Sequence, residues 1–535
     1  MSMRDDTIQT SPMPAAVPLR NVAIHLHPSD NVAIAKCTLA ADTLLVIDDA
    51  GASPTYLRVR QAIPGAHKLA LKPLEKGEPV RRYGQTIGFA TRVILPGDHV
   101  HSHNMGMQDF DRDYAFGADA RPVQIVPRAK RRTFLGYLRS DGRVGTRNTI
   151  AVICTSNCSA HVAREIAHHF TPERLAGYPN VDGVIAVIHG YGCSTRLGGA
   201  DYAQLQRTLA GIATHPNVAA YLLVSLGCEV NQADALVENQ QLCGRNPFLP
   251  ECPPILTIQE HGGIRKTVAA GIAAVEALLP RVNQVERTQQ PISELVVGLQ
   301  CGGSDGWSGI TANPTLGLVT DEIIRQGGTA VLSETTEIYG AEHLLTRRAV
   351  SPQVGQRLLD MVHWWETYTR AMGIEIDNNP TPGNKVGGLT TIYEKSLGAV
   401  AKAGSSPLTG VYEYAEPVTT RGLAFMNGPG NDWTSVTGQV AGGCTLMLFT
   451  TGRGSVFGFR PAPVIKIASN SALYQHMPDD MDFNAGRVLE GADMAGVAAE
   501  LLDLTIAVAS GQPSKSEAQG VGEAEFVPWH LGETL

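Results

Sequence analysis

The stretch Thr149-Ile-Ala-Val-Ile-Cys-Thr-Ser-Asn-Cys-Ser159 decides the fold. A short apolar run rich in β-branched residues, Thr149–Ile153, stops in a loop of small and polar residues. An apolar run of this length, bounded by turn residues, reads as a strand buried on both faces. The unit recurs along the chain. Val184–Ile188 runs into HGYGCS, Tyr221–Ser225 into LGCE, and Leu295–Leu299 into QCGGSDG. Ala330–Leu332 runs into SETTE, and Leu446–Phe449 into TTGRGS. Helical patterns lie between some of them. Over Arg265–Leu279 a single face would carry Val268, Ile272, Val275 and Leu279. Ser351-Pro352 reads as an N-cap with proline at the first helical position, leading into a stripe of Val354, Leu358, Val362 and Trp365. Strand, polar loop, helix, strand predicts an α/β region with mostly parallel sheets, whose sites form at the carboxyl ends of the strands.

Outward from this region the pattern changes. Residues 21–107 carry short β-rich runs separated by turn residues, with no strong helical period, and predict a small β domain. The division expected is a flexible start (1–20), the β domain (21–107), a polar linker (108–133), two α/β parts (134–290 and 291–512) and a tail (513–535).

Composition bounds the function. The chain has 535 residues and a net charge of −8, which argues against a broad surface for nucleic acid or anionic membrane. The basic run Arg128–Arg132 reads as a solvated linker. No apolar run is long enough for a membrane helix, and the first twenty residues carry acids and prolines, so a cytoplasmic protein is expected. Nine cysteines are odd in number and sparse, which is not a disulfide framework; core thiols, metal ligands and nucleophiles remain. The P-loop, HExxH and CxxC motifs are absent.

Three groups of residues could carry chemistry. Cys158, Cys193, Cys228 and Cys301 each sit in a small-residue loop after an expected strand, where thiolates could hold iron or an iron–sulfur cluster; ordinary small hydrophobes are the alternative. His99, His101 and His103 alternate, as do His25 and His27, which Asp30 follows, and His67 comes after a Pro-Gly turn. On a strand, alternate residues share a face. Histidines and a carboxylate suit a mononuclear ion, with His27, Asp30, His101 and His103 as ligands, and a solvated edge is the alternative. The third group offers an anion pocket. Lys385 and Arg453 could neutralise a carboxylate, and Asn384, Asn313, Asn431 and Asp305 could hold hydroxyls.

Longer segments carry a resemblance. They are HPSDNVAIA (27–35), HKLAL (67–71), YGQTIGFA (83–90), DGRVGTRN (141–148), HGYGCS (189–194), LGCEVNQ (226–232), QCGGSDGWSGITANP (300–314), GAEHLL (340–345), PGNKVGGLTTIYEKSLG (382–398), TTGRGSVFG (450–458) and DMDFNAG (480–486). On these the chain resembles the altronate/galactarate dehydratase family, with HVHSHN (99–104) and GCS (192–194) resembling its altronate branch. The resemblance implies an N-terminal β-clip domain of the SAF type and a large catalytic α/β region. It implies a hydro-lyase that removes water from a sugar acid to give a 2-keto-3-deoxy acid, needing Fe(2+) or Mn(2+), with the mononuclear ion favoured over a cluster. Galactarate or another hydroxy acid, C–S cleavage of sulfolactate, and a sugar-acid sensor without turnover are the alternatives. For this chemistry His189 is expected as acid or base, His67 as a further candidate, and Glu229 as an orienting group. The partner is then a small anionic sugar acid, and a homo-oligomer is expected.

Overall fold

The computed structural model describes residues 16–47, 54–249 and 251–531. Residues 1–15, most of the expected flexible start, and 532–535, the end of the expected tail, lie outside the described residues. The chain divides into two compact units, Met1–Phe110 with Pro380–Glu394, and Asp111–Asn379 with Lys395–Leu535.

The first unit is built from short strands. Ala23–Ile24, Val32–Ala35, Lys68–Ala70 and His99–Val100 form an antiparallel sheet in that order. Two three-stranded sheets accompany it, one of Val17–Pro18, Leu44–Ile47 and Thr55–Arg58, the other of Pro79–Arg82, Gln85–Ala90 and Met105–Gly106. Leu19, Ala33, Leu45, Leu57, Ile63 and Leu69 make its core. Pro380–Glu394, far along the sequence and within the stretch read as the second α/β part, completes this unit. Its contribution is electrostatic. Lys68 Nζ lies 2.9 and 2.8 Å from the two Glu394 oxygens, and an Arg82 nitrogen lies 2.6 Å from Oε1. Thr390 adds its amide and hydroxyl. Each of these groups is buried, and a buried carboxylate persists only with such partners.

The second unit holds two parallel sheets. In the smaller, strands Gly183–Val187, Thr149–Cys154, Val218–Ser225 and Ile255–Thr257 lie side by side in that order. In the larger, the order is Leu408–Tyr412, Gly422–Met426, Thr329–Leu332, Val296–Cys301, Leu446–Thr451, Val464–Ala468 and Phe483–Asn484. Side chains from both sheets join one hydrophobic core. Thr133–Leu138 pairs antiparallel with Val144–Gly145 and Thr288–Pro291. This is the expected β domain plus a two-part α/β region.

Two helices show how packing overrides a sequence stripe. Ile264–Val282 buries Thr267, Gly271, Val275, Leu278 and Val282, while Val268 and Ile272 are only partly buried. The helix turns Gly271 inward because it packs against helix Ala160–His168, where a Cβ would collide with the Ile166 side chain. In Pro352–Ala371 the expected cap is present, with Ser351 Oγ accepting from the Val354 amide, and Leu358, Val362 and Trp365 are buried.

Candidate functional site

The carboxyl end of the larger sheet gathers a buried set of charges. Cys301 ends the central strand. Ser333 and Glu334 follow the neighbouring strand directly, and Glu337 closes the 3-10 turn Thr335–Glu337. Asp432 opens helix Asp432–Ala441, which Asn431 caps through the Thr434 amide. Lys395 sits in helix Ile392–Val400, and Lys402 in the turn Ala401–Ala403. Three carboxylates, two ammonium groups and a thiol thus gather, buried or nearly so, at one end of the sheet.

Their contacts are unequal. Lys395 Nζ lies 2.6 Å from Glu337 Oε1 and 2.9 Å from Asn379 Oδ1, and Asn379 Nδ2 donates to Glu337 at 2.7 Å. Lys402 Nζ lies 2.8 Å from Cys301 Sγ and 3.9 Å from Glu334 Oε2. Gln300 donates to Asp432 at 3.3 Å. Neither oxygen of Glu334 has a hydrogen-bond partner among the described residues, nor does Ser333 Oγ. Glu334 is also held at φ +71°, a left-handed conformation that costs a non-glycine residue about 1 kcal/mol or more. A strained, buried carboxylate without a hydrogen-bond partner is an acceptor held ready for a cation or a proton.

Burial sets the titration. It raises the Glu334 carboxyl well above the usual range, and Glu337 adds to the rise. It pushes Asp432 up to about 6, again with help from Glu337. Burial raises the Cys301 thiol to about 11 against the pull of Lys402. For Lys395 burial opposes the charge, but Glu337, Cys301 and Glu334 together outweigh it and the ammonium is raised.

This donor set fits a divalent ion. One ligand atom each from Cys301, Glu334 and Glu337 lie within 4.8 Å of one another, and the Glu334 oxygens are unclaimed. Among the described residues these three are the one group of His, Cys, Asp and Glu that meets this spacing.

The histidines gather in the first unit. His67 Nδ1 lies 2.9 Å from His99 Nε2, the rings of His67 and His101 stack at 4.9 Å, and His103 lies against His99 at 5.4 Å. The strand ends at Val100, so a turn, rather than one strand face, brings His101 and His103 in. Burial, then the neighbouring imidazoles, lowers His99 to about 3; burial and Lys68 lower His101 to about 4. His67 Nε2 and His101 Nε2 lie 3.1 and 2.8 Å from the carbonyls of Val386 and Lys385. The expected partners His27 and Asp30 have other tasks. Asp30 is buried and accepts from the amides of His27, Tyr83 and Gly84, and the His27 ring bonds Ser29. The carboxylate read as a ligand is therefore a turn clamp.

Other expected residues are committed to the scaffold. His189 is buried, with Nε2 3.1 Å from the Cys154 carbonyl and Nδ1 accepting from the Tyr191 amide; burial lowers it to about 4. That geometry favours a neutral ring with both nitrogens hydrogen-bonded to backbone. Glu229 accepts from Thr155, Leu226 and Gly227, a loop clamp. Asp305 accepts from Ser308, Trp307 and Ser469. Asn313 bridges Thr450 and Gly398. Asn384 forms a capping box with Thr381. These residues, like Asn431, bond loops and helix ends. Arg453 is exposed, and Lys385 is partly so.

The cysteines also separate. Cys158, Cys193 and Cys228 stand at the carboxyl end of the smaller sheet, with Cys158 and Cys193 sulfurs 3.7 Å apart, whereas Cys301 belongs to the larger sheet. Cys243 and Cys252 form a disulfide, a pairing that the reading of reduced thiols did not contain. Lys395, Lys402 and Asp432 were not read as site residues. Lys402 did carry a signal, since it is a lone charge in the apolar run Ser396–Gly404.

Comparison with known proteins gives the family. Residues 21–108 match the domain described as "Altronate/galactarate dehydratase SAF domain". Residues 136–283 match "D-galactarate dehydratase/Altronate hydrolase, second domain", and residues 292–534 match "D-galactarate/Altronate dehydratase, C-terminal". The chain is 36% identical to an altronate dehydratase of Escherichia coli over 92% of its own length and 96% of that protein. It is 35% identical to a galactarate dehydratase (L-threo-forming) of the same organism, over 91% of this chain and 93% of that protein. A (2R)-sulfolactate sulfo-lyase subunit beta of Chromohalobacter salexigens is 33% identical over 76% of this chain and 99% of the subunit.

Proposed function

The chain belongs to the altronate/galactarate dehydratase family, and from that premise we propose that it removes water from an altronate-like aldonate to give a 2-keto-3-deoxy acid. The observation that carries the placement of the chemistry is Glu334, buried, strained and without a hydrogen-bond partner at either oxygen. Strain and unpaired polar atoms persist where function retains them.

The reaction needs the proton α to the carboxylate to leave, the β-hydroxyl to depart with a proton as water, and the resulting enol to become the ketone. The α-proton is weakly acidic, so negative charge must be stabilised. Lys402 and Lys395 supply fixed positive charge beside the reacting centre. Asp432, pushed to about 6, is the group whose carboxyl can both give and take a proton near neutrality. Cys301, Glu334 and Glu337 would hold a divalent metal, Fe(2+) or Mn(2+). When bound, such an ion acts as a Lewis acid toward carboxylate and hydroxyl oxygens. Glu337 is kept in place by Lys395 and Asn379, and Lys402 spans Cys301 and Glu334, so both lysines also fix the donors. Arg453 remains the cation proposed for the carboxylate of the substrate.

The test is turnover of altronate, galactarate and sulfolactate by the anaerobically purified protein, with keto-acid and sulfite assays in parallel. Keto acid from altronate, lost in Asp432→Asn and Glu334→Gln, supports the reading. Keto acid from galactarate alone moves the substrate. Sulfite moves the reaction to C–S cleavage. Full altronate turnover in both variants removes the chemistry from this cluster.

A further inference from the structure

The amino ends of the two parallel sheets meet beside a cavity that the cluster around Glu334 does not use. His215 and Asn217 come just before strand Val218–Ser225. His215 Nε2 lies 3.1 Å from the Cys444 carbonyl, and Asn217 Nδ2 donates to the Thr445 carbonyl at 3.0 Å, just ahead of strand Leu446–Thr451. The cavity has a volume of about 410 Å³, within the range of small-molecule sites. The cluster around Glu334 stands at the other, carboxyl end of the larger sheet.

Cations dominate its lining. Arg139, Arg143 and Arg245 stand there with one carboxylate, Asp141. His215 is neutral, since burial lowers it to about 3 and both ring nitrogens bond backbone. Arg139 donates only to neutral oxygens, those of Pro216, Asn148 and Arg147, at 2.7, 2.8 and 3.0 Å. Burial pulls this guanidinium down to about 10, the mark of a buried cation short of negative charge. Arg143 places Nε 2.8 Å from Asp141 and Nη2 2.8 Å from the Thr214 carbonyl, which leaves Nη1 without a hydrogen bond among the described residues. Arg245 is exposed and has neither a hydrogen bond nor an ion pair among the described residues.

Much of the remaining lining is apolar and stiff, formed by Pro216, Pro247, Phe248 and Pro417. Arg245, Pro247 and Phe248 belong to a loop closed by the Cys243–Cys252 disulfide. That loop is tied down. Asn246 Nδ2 donates to the Ala219 carbonyl at 2.8 Å, the Phe248 amide to Asn246 Oδ1 at 2.9 Å, and Arg281 Nη2 to the Pro247 carbonyl at 3.1 Å. Tyr221 shares a strand face with Ala219. Its hydroxyl is buried without a hydrogen-bond partner, and Arg245 is the charge that acts on it. The unpaired guanidinium is therefore held over the strand edge beside an apolar wall.

We propose that this cavity binds a small phosphate monoester, with its phosphoryl oxygens on Arg143 and Arg245 and its carbon skeleton against Pro216, Pro247 and Phe248. In the lining, cations exceed anions by two, and a phosphate monoester carries about two negative charges at neutral pH. Planar guanidinium forks pair with phosphate oxygens through parallel hydrogen bonds. Free phosphate would leave the proline and phenylalanine wall uncovered, whereas an ester covers it. This site is separate from the proposed dehydration site, and its test does not depend on turnover.

The test is calorimetric titration of the full-length protein with phenyl phosphate and, separately, with inorganic phosphate. One phenyl phosphate per chain, held about tenfold or more tighter than inorganic phosphate, is expected. Arg245→Ala should weaken it by about tenfold, the scale of one lost charged hydrogen bond, and Arg453→Ala should leave it unchanged. Phe248→Ser should weaken phenyl phosphate and spare inorganic phosphate. Equal affinity for the two ligands would overturn the ester reading and make this a free-phosphate site. No binding of either ligand would overturn the proposal. So would binding that survives in the R143A/R245A variant, or that disappears in Arg453→Ala. Arg245 is exposed and has no partner to strand, so Arg245→Ala should melt with the wild type; a thermal melt of each unliganded variant separates a lost site from a lost fold.

Discussion

Two buried charge clusters in this chain are built on opposite plans. In the first unit Lys68, Arg82 and Glu394 surround one carboxylate with two cations, and each Glu394 oxygen is claimed. In the second unit Cys301, Glu334, Glu337 and Asp432 outnumber Lys395 and Lys402, and Glu334 is left without a hydrogen bond in a strained conformation. The titrations diverge accordingly. Burial alone would raise Glu394, but Lys68 and Arg82 hold it down at about 2, whereas burial wins at Glu334. Satisfied charge is architecture. Unsatisfied charge is stored potential, which a substrate, a proton or a metal can discharge.

The contrast breaks most visibly if the two glutamates are exchanged in kind. Glu394→Ala leaves Lys68 and Arg82 buried without their counter-ion, and loss of one partner of a buried pair costs about 3–5 kcal/mol. A denaturant titration should show that loss. A loss under about 1 kcal/mol would mean that the ion pair is not structural. Glu334→Gln should do the reverse. It removes a carboxylate that no hydrogen bond holds and whose one ion pair, to Lys402, is long at 3.9 Å, so the melting temperature changes little. Turnover should fall roughly 10²–10³-fold, the scale of a lost electrostatic or acid–base contribution. A variant that melts early with unchanged kcat/KM would assign Glu334 to the scaffold.

How far the sequence reaches differs between these clusters. The parallel sheets were legible in runs such as Thr149–Ile153, because a strand buried on both faces leaves a continuous apolar string. The loop SETTE was visible as polar residues after a strand. Its left-handed Glu334 was not visible, since backbone strain leaves no mark in composition. Lys395 and Lys402 meet Glu337 and Cys301 across long sequence separations, and no local spacing announces such a pair. The same physics explains the residues that took other roles. Asn384, Asn431 and Asp30 are turn and cap formers, and short polar side chains bond their own backbone at such positions whether or not a substrate is near. Pro380–Glu394 was read with its sequence neighbours because a segment that crosses between units carries no signature of its own.

Acid sharpens the comparison at a somewhat smaller amplitude. Glu394 has a folded-state value of about 2 against an ordinary 4.5. A depressed carboxylate contributes stability above its unfolded value and loses it as pH falls toward the folded value. About 3 kcal/mol should therefore disappear between roughly pH 4.5 and pH 2, since each pH unit between the two values is worth about 1.4 kcal/mol. Chemical denaturation across that range, for wild type and Glu394→Gln, checks it. The variant should start lower and show a shallower decline. Parallel curves would mean that other carboxylates govern acid unfolding.

The smallest effect bears on the boundary between scaffold and site. Asn431 caps the helix that carries Asp432, with its side-chain oxygen 3.2 Å from the Thr434 amide. As a cap alone, Asn431→Ala should cost about 1 kcal/mol of stability, and Asn431→Ser, which keeps an acceptor, should recover most of it. If Asn431 also holds a substrate hydroxyl, KM should rise in both variants, because a serine that restores the cap does not restore the reach or the amide donor of asparagine. Stability rescued together with KM would make the residue a cap and nothing more. Stability rescued with KM still raised would place substrate at the amino end of that helix, beside Asp432 and the unsatisfied cluster.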